Sequence, residues 1–286
     1  MQPSVRNLRA CLKNHLPVRW GLQNRCVNNY CVYPSDLTDK QWHFIKERLP
    51  EEHKRGRPRV LEMRLVVNAI LYIVVGGIQW RMLPQDYPNW QSVYYYFRQW
   101  RERGVWQRLH DTLRALLRQK IGKHKHPTAA CLDAQSVKAS EYCDSRGFDG
   151  GKLVKGRKRH LLVDTLGLVL AVIVTSACVQ DRDGARLLLR QLQGFCKKLR
   201  LIWVDGGYRG ELMDWVSERF RFQLRPVVRP KGTKGFVLLP RRWVVERTFA
   251  WLSHARRLTK DYERKASSSE VFIYIAMIRL MLKRLA

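Results

Sequence analysis

The chain has 286 residues, with 54 Lys and Arg against 24 Asp and Glu, and a formal net charge of +30. Its 45% hydrophobic content and ten tryptophans supply a large core and exclude global disorder. So large a positive excess repels itself when the chain compacts, and it points to a polyanionic partner, nucleic acid foremost.

No apolar run reaches the roughly 20 residues of a membrane span, and residues 1–32 lack the apolar stretch of a secretory signal. Seven cysteines lie scattered, without C-x-x-C pairs or zinc spacing. They read as reduced thiols in a cytoplasmic protein with access to the nucleoid.

Residues 1–32 show no periodicity and read as a leader of uncertain order. Thr38-Asp39-Lys40-Gln41 has the pattern of a capping box. It opens a short helix with Trp42, Ile45 and Leu49 inward, ended by Pro50. Lys54 to Arg59 is a basic, extended strip. An apolar helix follows over 61–75, closed by Gly76-Gly77. A turn through Pro84, Pro88 and Asn89 leads to a third helix at 91–103, rich in Tyr, Trp and Arg, and a fourth at 105–120. Residues 33–121 therefore read as a helical, helix-turn-helix-like DNA-binding domain.

Gly122 to Pro127 reads as a linker, and the pattern then changes over 127–286. Strands are expected at 129–137, 159–164, 168–175, 199–205 and 222–228. The second and third are joined by the hairpin turn Asp164-Thr165-Leu166-Gly167. Helices are expected at 184–196, capped by Asp183, then at 211–220, at 241–257, and from a capping box at Ser267–Glu270 to the end. The order β-β-β-α-β-α-β-α-α makes this part a mixed α/β sheet with flanking helices.

Most acids have local explanations. Asp164 and Asp149 suit turns, and Asp183 suits a helix start. Three others do not. Asp133 lies inside the strand 129–137, on the face of Cys131 and Val137. Asp205 ends the strand 199–205, just before Gly206-Gly207. Glu246 has Trp243, Phe249 and Ala250 as its helical neighbours, in an apolar stripe. A buried, unpaired carboxylate costs several kcal/mol, roughly. Either separate salt bridges compensate these acids (Arg242 stands four residues before Glu246) or they share one cation site. Mg²⁺ takes oxygen ligands of this kind, and a pair of such ions is suited to cleaving phosphodiesters.

Several segments together resemble a known family. They are Tyr33-Pro34-Ser35-Asp36-Leu37-Thr38, Gln79-Trp80-Arg81-Met82-Leu83-Pro84, Leu132-Asp133-Ala134-Gln135-Ser136-Val137-Lys138, Gly156-Arg157-Lys158-Arg159-His160, Trp203-Val204-Asp205-Gly206-Gly207-Tyr208 and Pro240-Arg241-Arg242-Trp243-Val244-Val245-Glu246-Arg247. From about residue 33 to 286 the chain resembles bacterial insertion-sequence transposases of the "IS five" type. The resemblance implies a ribonuclease-H-like catalytic domain with a DDE triad. It assigns Asp133, Asp205 and Glu246 to catalysis and metal binding, with two Mg²⁺ ions for which Mn²⁺ can substitute. The implied activity is cleavage at the element's ends and joining to target DNA, by a homodimer on double-stranded DNA, away from membranes. Relatives carry a Tyr seven residues before the Glu, an Arg four before and a Lys seven after. Here Arg242 fits, while Leu239 and Ser253 do not. The phosphate contacts of that Lys then pass to Arg256, Arg257 or Lys260.

Further DNA contacts are expected from charge. Arg55, Arg57 and Arg59 form either a minor-groove strip or a plain basic linker. Arg98 and Arg101 lie on the aromatic-basic helix. Lys155, Arg157, Lys158 and Arg159 read as phosphate contacts. The basic stretch 221–265, containing Arg242, Arg256, Arg257 and Lys260, reads as a DNA track around Glu246. The competing readings are a nuclease of the same fold, and an inactive or domesticated transposase that only binds DNA.

Overall fold

A computed structural model describes residues 33–50, 61–192, 198–227 and 242–286. The leader 1–32 and the strip bearing Arg55, Arg57 and Arg59 lie outside these residues.

Four helices come first: α1 (Asp39–Lys46), α2 (Met63–Gly76), α3 (Trp90–Glu102) and α4 (Val105–Lys120). The expected capping box opens α1. The Gln41 amide donates to Thr38 Oγ1 at 3.3 Å, and the Thr38 amide donates to Gln41 Oε1 at 3.1 Å. Gly77 closes α2 at φ 72°, where its bare Cα lies against the backbone of Arg256; a Cβ there would be 3.1 Å from the Arg256 carbonyl carbon.

The sheet holds β1 (Ala129–Lys138), β2 (Gly147–Asp149), β3 (Val154–Asp164), β4 (Val169–Ser176), β5 (Leu201–Val204) and β6 (Gln223–Pro226), with α5 (Asp181–Arg190), α6 (Glu211–Arg219), α7 (Trp243–Ser253) and α8 (Ala266–Leu285) around it. Its order is β2-β3-β1-β5-β6, with β4 also paired to β3. The β1–β3, β2–β3 and β3–β4 pairs are antiparallel, whereas β1–β5 and β5–β6 are parallel. Since β1 takes one edge of β3, strands β2 and β4 share the other, end to end.

Alternation along the strands feeds two apolar cores. Ala130, Leu132, Leu162 and Ile202 meet α5 and α6 on one face. Cys131, Leu161, Val163 and Trp203 join the other, where α7 and α8 pack. That second core runs on into α1, α2, α3 and α4 through Ile45, Val67, Phe97 and Leu109, with α8 at its centre. Adjoining it, Arg101 of α3 donates to Ser268 Oγ of α8 at 2.7 Å.

Several local expectations are corrected. A short strand, β2, precedes the expected turn at Asp149, whose Oδ1 accepts the amides of Gly151 and Lys152 at 3.1 and 3.2 Å. Helix α5 starts at Asp181 after Gln180. Asp183 therefore sits in the first turn, with Asp181, where both carboxylates favour the positive end of the helix dipole. Helix α7 ends at Ser253, and Arg256–Leu258 form a separate 3₁₀ turn. The capping box expected at Ser267–Glu270 does not form. Helix α8 starts at Ala266, and Glu270 Oε1 instead accepts the Val174 amide at 2.9 Å. That amide is on an edge strand, where an N–H needs an acceptor outside the ladder.

Candidate active site

The geometry starts from the β1–β5 ladder. Ala129 pairs with Leu201, Ala130 with Ile202 and Cys131 with Trp203. Each pair is 72 residues apart, and so are Asp133 and Asp205. The register, continued by two residues, sets both acids at the same level, Asp133 in the middle of β1 and Asp205 just past the end of β5. The chain then leaves the strand: Asp205 Oδ1 accepts the Gly207 amide at 2.7 Å and caps a 3₁₀ turn over Gly206–Tyr208. Open space lies where a Gly206 side chain would stand.

Asp133 points to the face covered by α7. Its Oδ1 accepts the Ala134 amide at 2.8 Å, and its Oδ2 accepts from Arg242 Nη2 at 3.3 Å. Burial raises its pKa, and the nearby Asp205 charge adds to the rise; the Ala134 amide, Arg242 and Lys152 oppose it. Helix α7 begins just after Arg242, and the same Nη2 lies 3.6 Å from Glu246 Oε1. One guanidinium nitrogen thus links Asp133 to Glu246.

Glu246 itself departs from the expectation. Its side chain is 52% exposed rather than set in an apolar stripe. Its neighbour Trp243 is 37% exposed, and Arg247 stacks on that indole at 4.4 Å. Of the apolar neighbours of Glu246, Trp243 and Ala250 lie on the wet side of the helix, while Phe249 is in the core.

The donor set is all carboxylate oxygen, which suits a hard divalent cation. Arg242 Nη2 stands in for such a charge between Asp133 and Glu246. Among the described residues no group of three His, Cys, Asp or Glu side chains is assembled closely enough to hold an ion. The residues fit Mg²⁺ by chemistry, and in this conformation the arginine takes a cation's place.

A cleft of about 420 Å³ opens beside Asp205, lined by Asp149, Gly151, Lys152, Lys158, Gln180, Asp181, Arg182 and Gly207. Lys158 spans its wall, 2.9 Å from Asp181 and 3.3 Å from Asp149. Lys152 Nζ donates to the Ala134 carbonyl at 3.1 Å, one residue from Asp133. Sequence reasoning missed Lys152, Asp181 and Arg182. The glycine pair before Lys152 was the available signal.

The basic candidates divide sharply. Arg98 on α3 is half exposed and lies 3.9 Å from Glu102; Lys155 and Arg256 are exposed. Lys260 is partly buried, 5.7 Å from the Tyr262 ring. The others are corrected by burial. Arg101 is committed to Ser268 and Glu102. Arg157, fully buried, donates to the carbonyls of Ser145, Glu263 and Arg264 and to Asp261. Lys158 is tied to Asp149, Asp181 and the Val179 carbonyl. Arg159 donates to the Leu258 carbonyl, and burial lowers its pKa to about 10. Arg257 pairs with Glu263 at 2.6 Å and donates to the Ile78 carbonyl. From Gly156 onward strand β3 is buried, so Arg157, Lys158 and Arg159 are held inside by protein acceptors instead of facing DNA, while Lys155 at its start stays exposed. Arg242 is occupied by the acids.

A curled mixed sheet flanked by helices, with two acids at one level on adjacent parallel strands, is the architecture of a ribonuclease-H-like DDE domain. Comparison with protein families agrees. The model described as "Transposase DDE domain" matches residues 124–281, and that described as "Putative transposase of IS4/5 family" matches residues 37–110. The chain belongs to the DDE transposases of insertion sequences. It is 37% identical over 131 residues to the Burkholderia cepacia protein named "Putative transposase for insertion sequence element IS402", a match covering 41% of this chain and 59% of that relative. It is 31% identical over 110 residues to the "Insertion element IS402 uncharacterized 16.2 kDa protein" of the same organism, covering 36% of this chain and 73% of that one. No solved structure matches. Among the described residues no helix is long and apolar enough to cross a membrane.

Proposed function

We propose that the chain is a DNA transposase that cleaves the ends of its insertion sequence and joins them to target DNA, with Asp133, Asp205 and Glu246 as its catalytic acids. The observation that carries this reading is the β1–β5 register, which sets two of the acids side by side, together with Arg242, which ties the third to Asp133. Two Mg²⁺ ions, or Mn²⁺ in their place, would be held by these carboxylates and would supply the charge that activates water and steadies the leaving oxygen. Asp205 is prepared for this by its turn, since Gly207 holds Oδ1 in place. Burial of Asp133 leaves its charge in need of a cation, which Arg242 provides in this structure. Cleavage and joining are both in-line displacements at phosphorus, so one set of acids serves both.

In this reading, residues 33–121 form the DNA-recognition unit and residues 127–286 the catalytic one. The partner is double-stranded DNA at the element's ends and at the target, bound by a homodimer in the cytoplasm near the nucleoid. Arg98, Lys155, Arg256 and Lys260 supply phosphate contacts.

The test is incubation with Mg²⁺ and DNA carrying the element's ends. Asp133→Ala, Asp205→Ala and Glu246→Ala should each lower cleavage and joining by about 100-fold or more, the scale on which removing one charge-stabilising group acts, with DNA binding retained. Full activity in any variant sinks that residue's role. Cleavage without joining in the parent chain would identify a nuclease; binding without either would identify a DNA-binding protein.

A further inference from the structure

Helix α7 carries Trp243, Arg247 and Trp251 at four-residue spacing, on one face. The Arg247 guanidinium carbon lies 4.4 Å from the Trp243 ring centroid and 4.6 Å from that of Trp251. Arg284 of α8 lies 4.5 Å from the Trp251 centroid. Indole and guanidinium therefore alternate from the start of α7 to the end of α8, each pair held by attraction between cation and ring. Beside this ladder a groove of about 220 Å³ runs between α2, α7 and α8. Its floor includes Val74, Ala255 and Met277, and its rim includes Arg279, Lys283 and Arg284.

Charge on this face is uncompensated. Among the described residues, no carboxylate lies within ion-pair distance of Arg247, Arg279, Lys283 or Arg284. The repulsion is felt. Arg279 lowers the pKa of Lys283, with burial adding to it, while burial and then Arg247 lower that of Arg284. Most buried cations elsewhere among the described residues are paired, as with Arg157 and Asp261 or Arg118 and Asp164; Arg159, held by the Leu258 carbonyl, is the exception. A fold that pairs those charges and leaves these four together holds them at a cost in stability, which is expected where an external anion supplies the missing charge.

We infer that the α7–α8 face formed by Arg247, Arg279, Lys283 and Arg284 binds the phosphate backbone of double-stranded DNA. Trp243, on which Arg247 packs, stands one turn before Glu246 on α7, so the face lies on the same helix as that acid. DNA on it would run past the site where cleavage is proposed. The choice of DNA as the polyanion rests on the transposase reading; the unpaired charge does not. The indoles pack against the guanidiniums of Arg247 and Arg284, which lowers the entropy lost when a phosphate binds them.

The test uses the full chain, a 30-base-pair duplex of arbitrary sequence, and anisotropy between 50 and 200 mM salt. Each phosphate contact contributes about 0.9 to the slope of log K against log salt. Lys283→Gln should make the slope shallower by about 1, and Arg279→Gln with Lys283→Gln by about 2. Thermal melting of both variants should equal or exceed that of the parent, because repulsion is relieved. This opposite movement of binding and stability is what a purely structural role does not produce. An unchanged slope overturns the inference, as does a lowered melting temperature with unchanged binding. An equal loss of slope in Lys40→Gln, on α1, overturns it by showing bulk charge alone, and displacement by polyglutamate with no DNA binding assigns the face to an acidic protein instead. A parent chain that fails to bind duplex at any salt refutes the transposase reading itself, whereas binding that both variants leave unaltered refutes this face alone.

Discussion

Replacing Arg157 by Ala separates two readings of the same residue. In the sequence Arg157 stands in a basic run and reads as a phosphate contact; in the fold it is wholly buried. Its Nη1 lies 3.4 Å from Asp261 and 2.7 Å from the Glu263 carbonyl, its Nη2 2.6 Å from the Arg264 carbonyl, and its Nε 3.2 Å from the Ser145 carbonyl. Removing it leaves Asp261, 2% exposed, without its cation, and leaves loop carbonyls without donors. Breaking a buried ion pair by deleting one partner costs about 3–5 kcal/mol. For a chain of this size about 1 kcal/mol corresponds to roughly 2–4 °C, so Arg157→Ala should melt about 6–20 °C lower. Circular dichroism on heating measures this. Lys155→Gln, two residues away and exposed, should leave melting unchanged and make the salt slope of duplex binding shallower by about 1. Unchanged melting in Arg157→Ala, with the shallower slope, would refute the structural assignment.

Two further outcomes follow from buried contacts. At Gly184 an added Cβ would lie 2.0 Å from His160 Cε1. Gly184→Ala should therefore lift α5 from the sheet and cost about 1–3 kcal/mol or more; thermal melting checks it, and His160→Ala in that background should restore part of the loss. Glu270 has its pKa raised to about 7 by burial. Its folded-state value is above its unfolded one, so the native state holds the proton more tightly and stability falls as pH rises from about 4.5 to about 7. His160 acts the other way: burial lowers its pKa to about 4, so stability falls as pH drops from 6.5 toward 4. Glu270→Gln keeps an acceptor for Val174 and should remove the first slope, giving a more stable protein at pH 8 and leaving the acid-side loss. Identical melting curves for parent and Glu270→Gln across pH 5–8 would refute the assignment.

What could be read from the chain alone was local. The Thr38–Gln41 cap, the Gly77 stop, the hairpin turn at Asp164–Gly167 and the alternation of β1 each depend on residues a few positions apart, and each appears in the fold. Asp133 and Asp205 were legible as misfits, acids where strand interiors and strand ends disfavour them, although their common level came only with the parallel register of β1 and β5. Glu246 was misjudged because a helix's apolar spacing does not say which side is wet; the stacking of Arg247 on Trp243 decides that. Arg157, Lys158 and Arg159 of the charged run were misjudged for a related reason. Whether a cation faces solvent or a carboxylate depends on what the rest of the chain brings to it, and the partners of Arg157 lie more than 100 residues further on. Composition determined that this protein carries a large positive excess. Only the packing of β3, α7 and α8 decided which of those charges are spent inside the fold and which remain free to meet DNA.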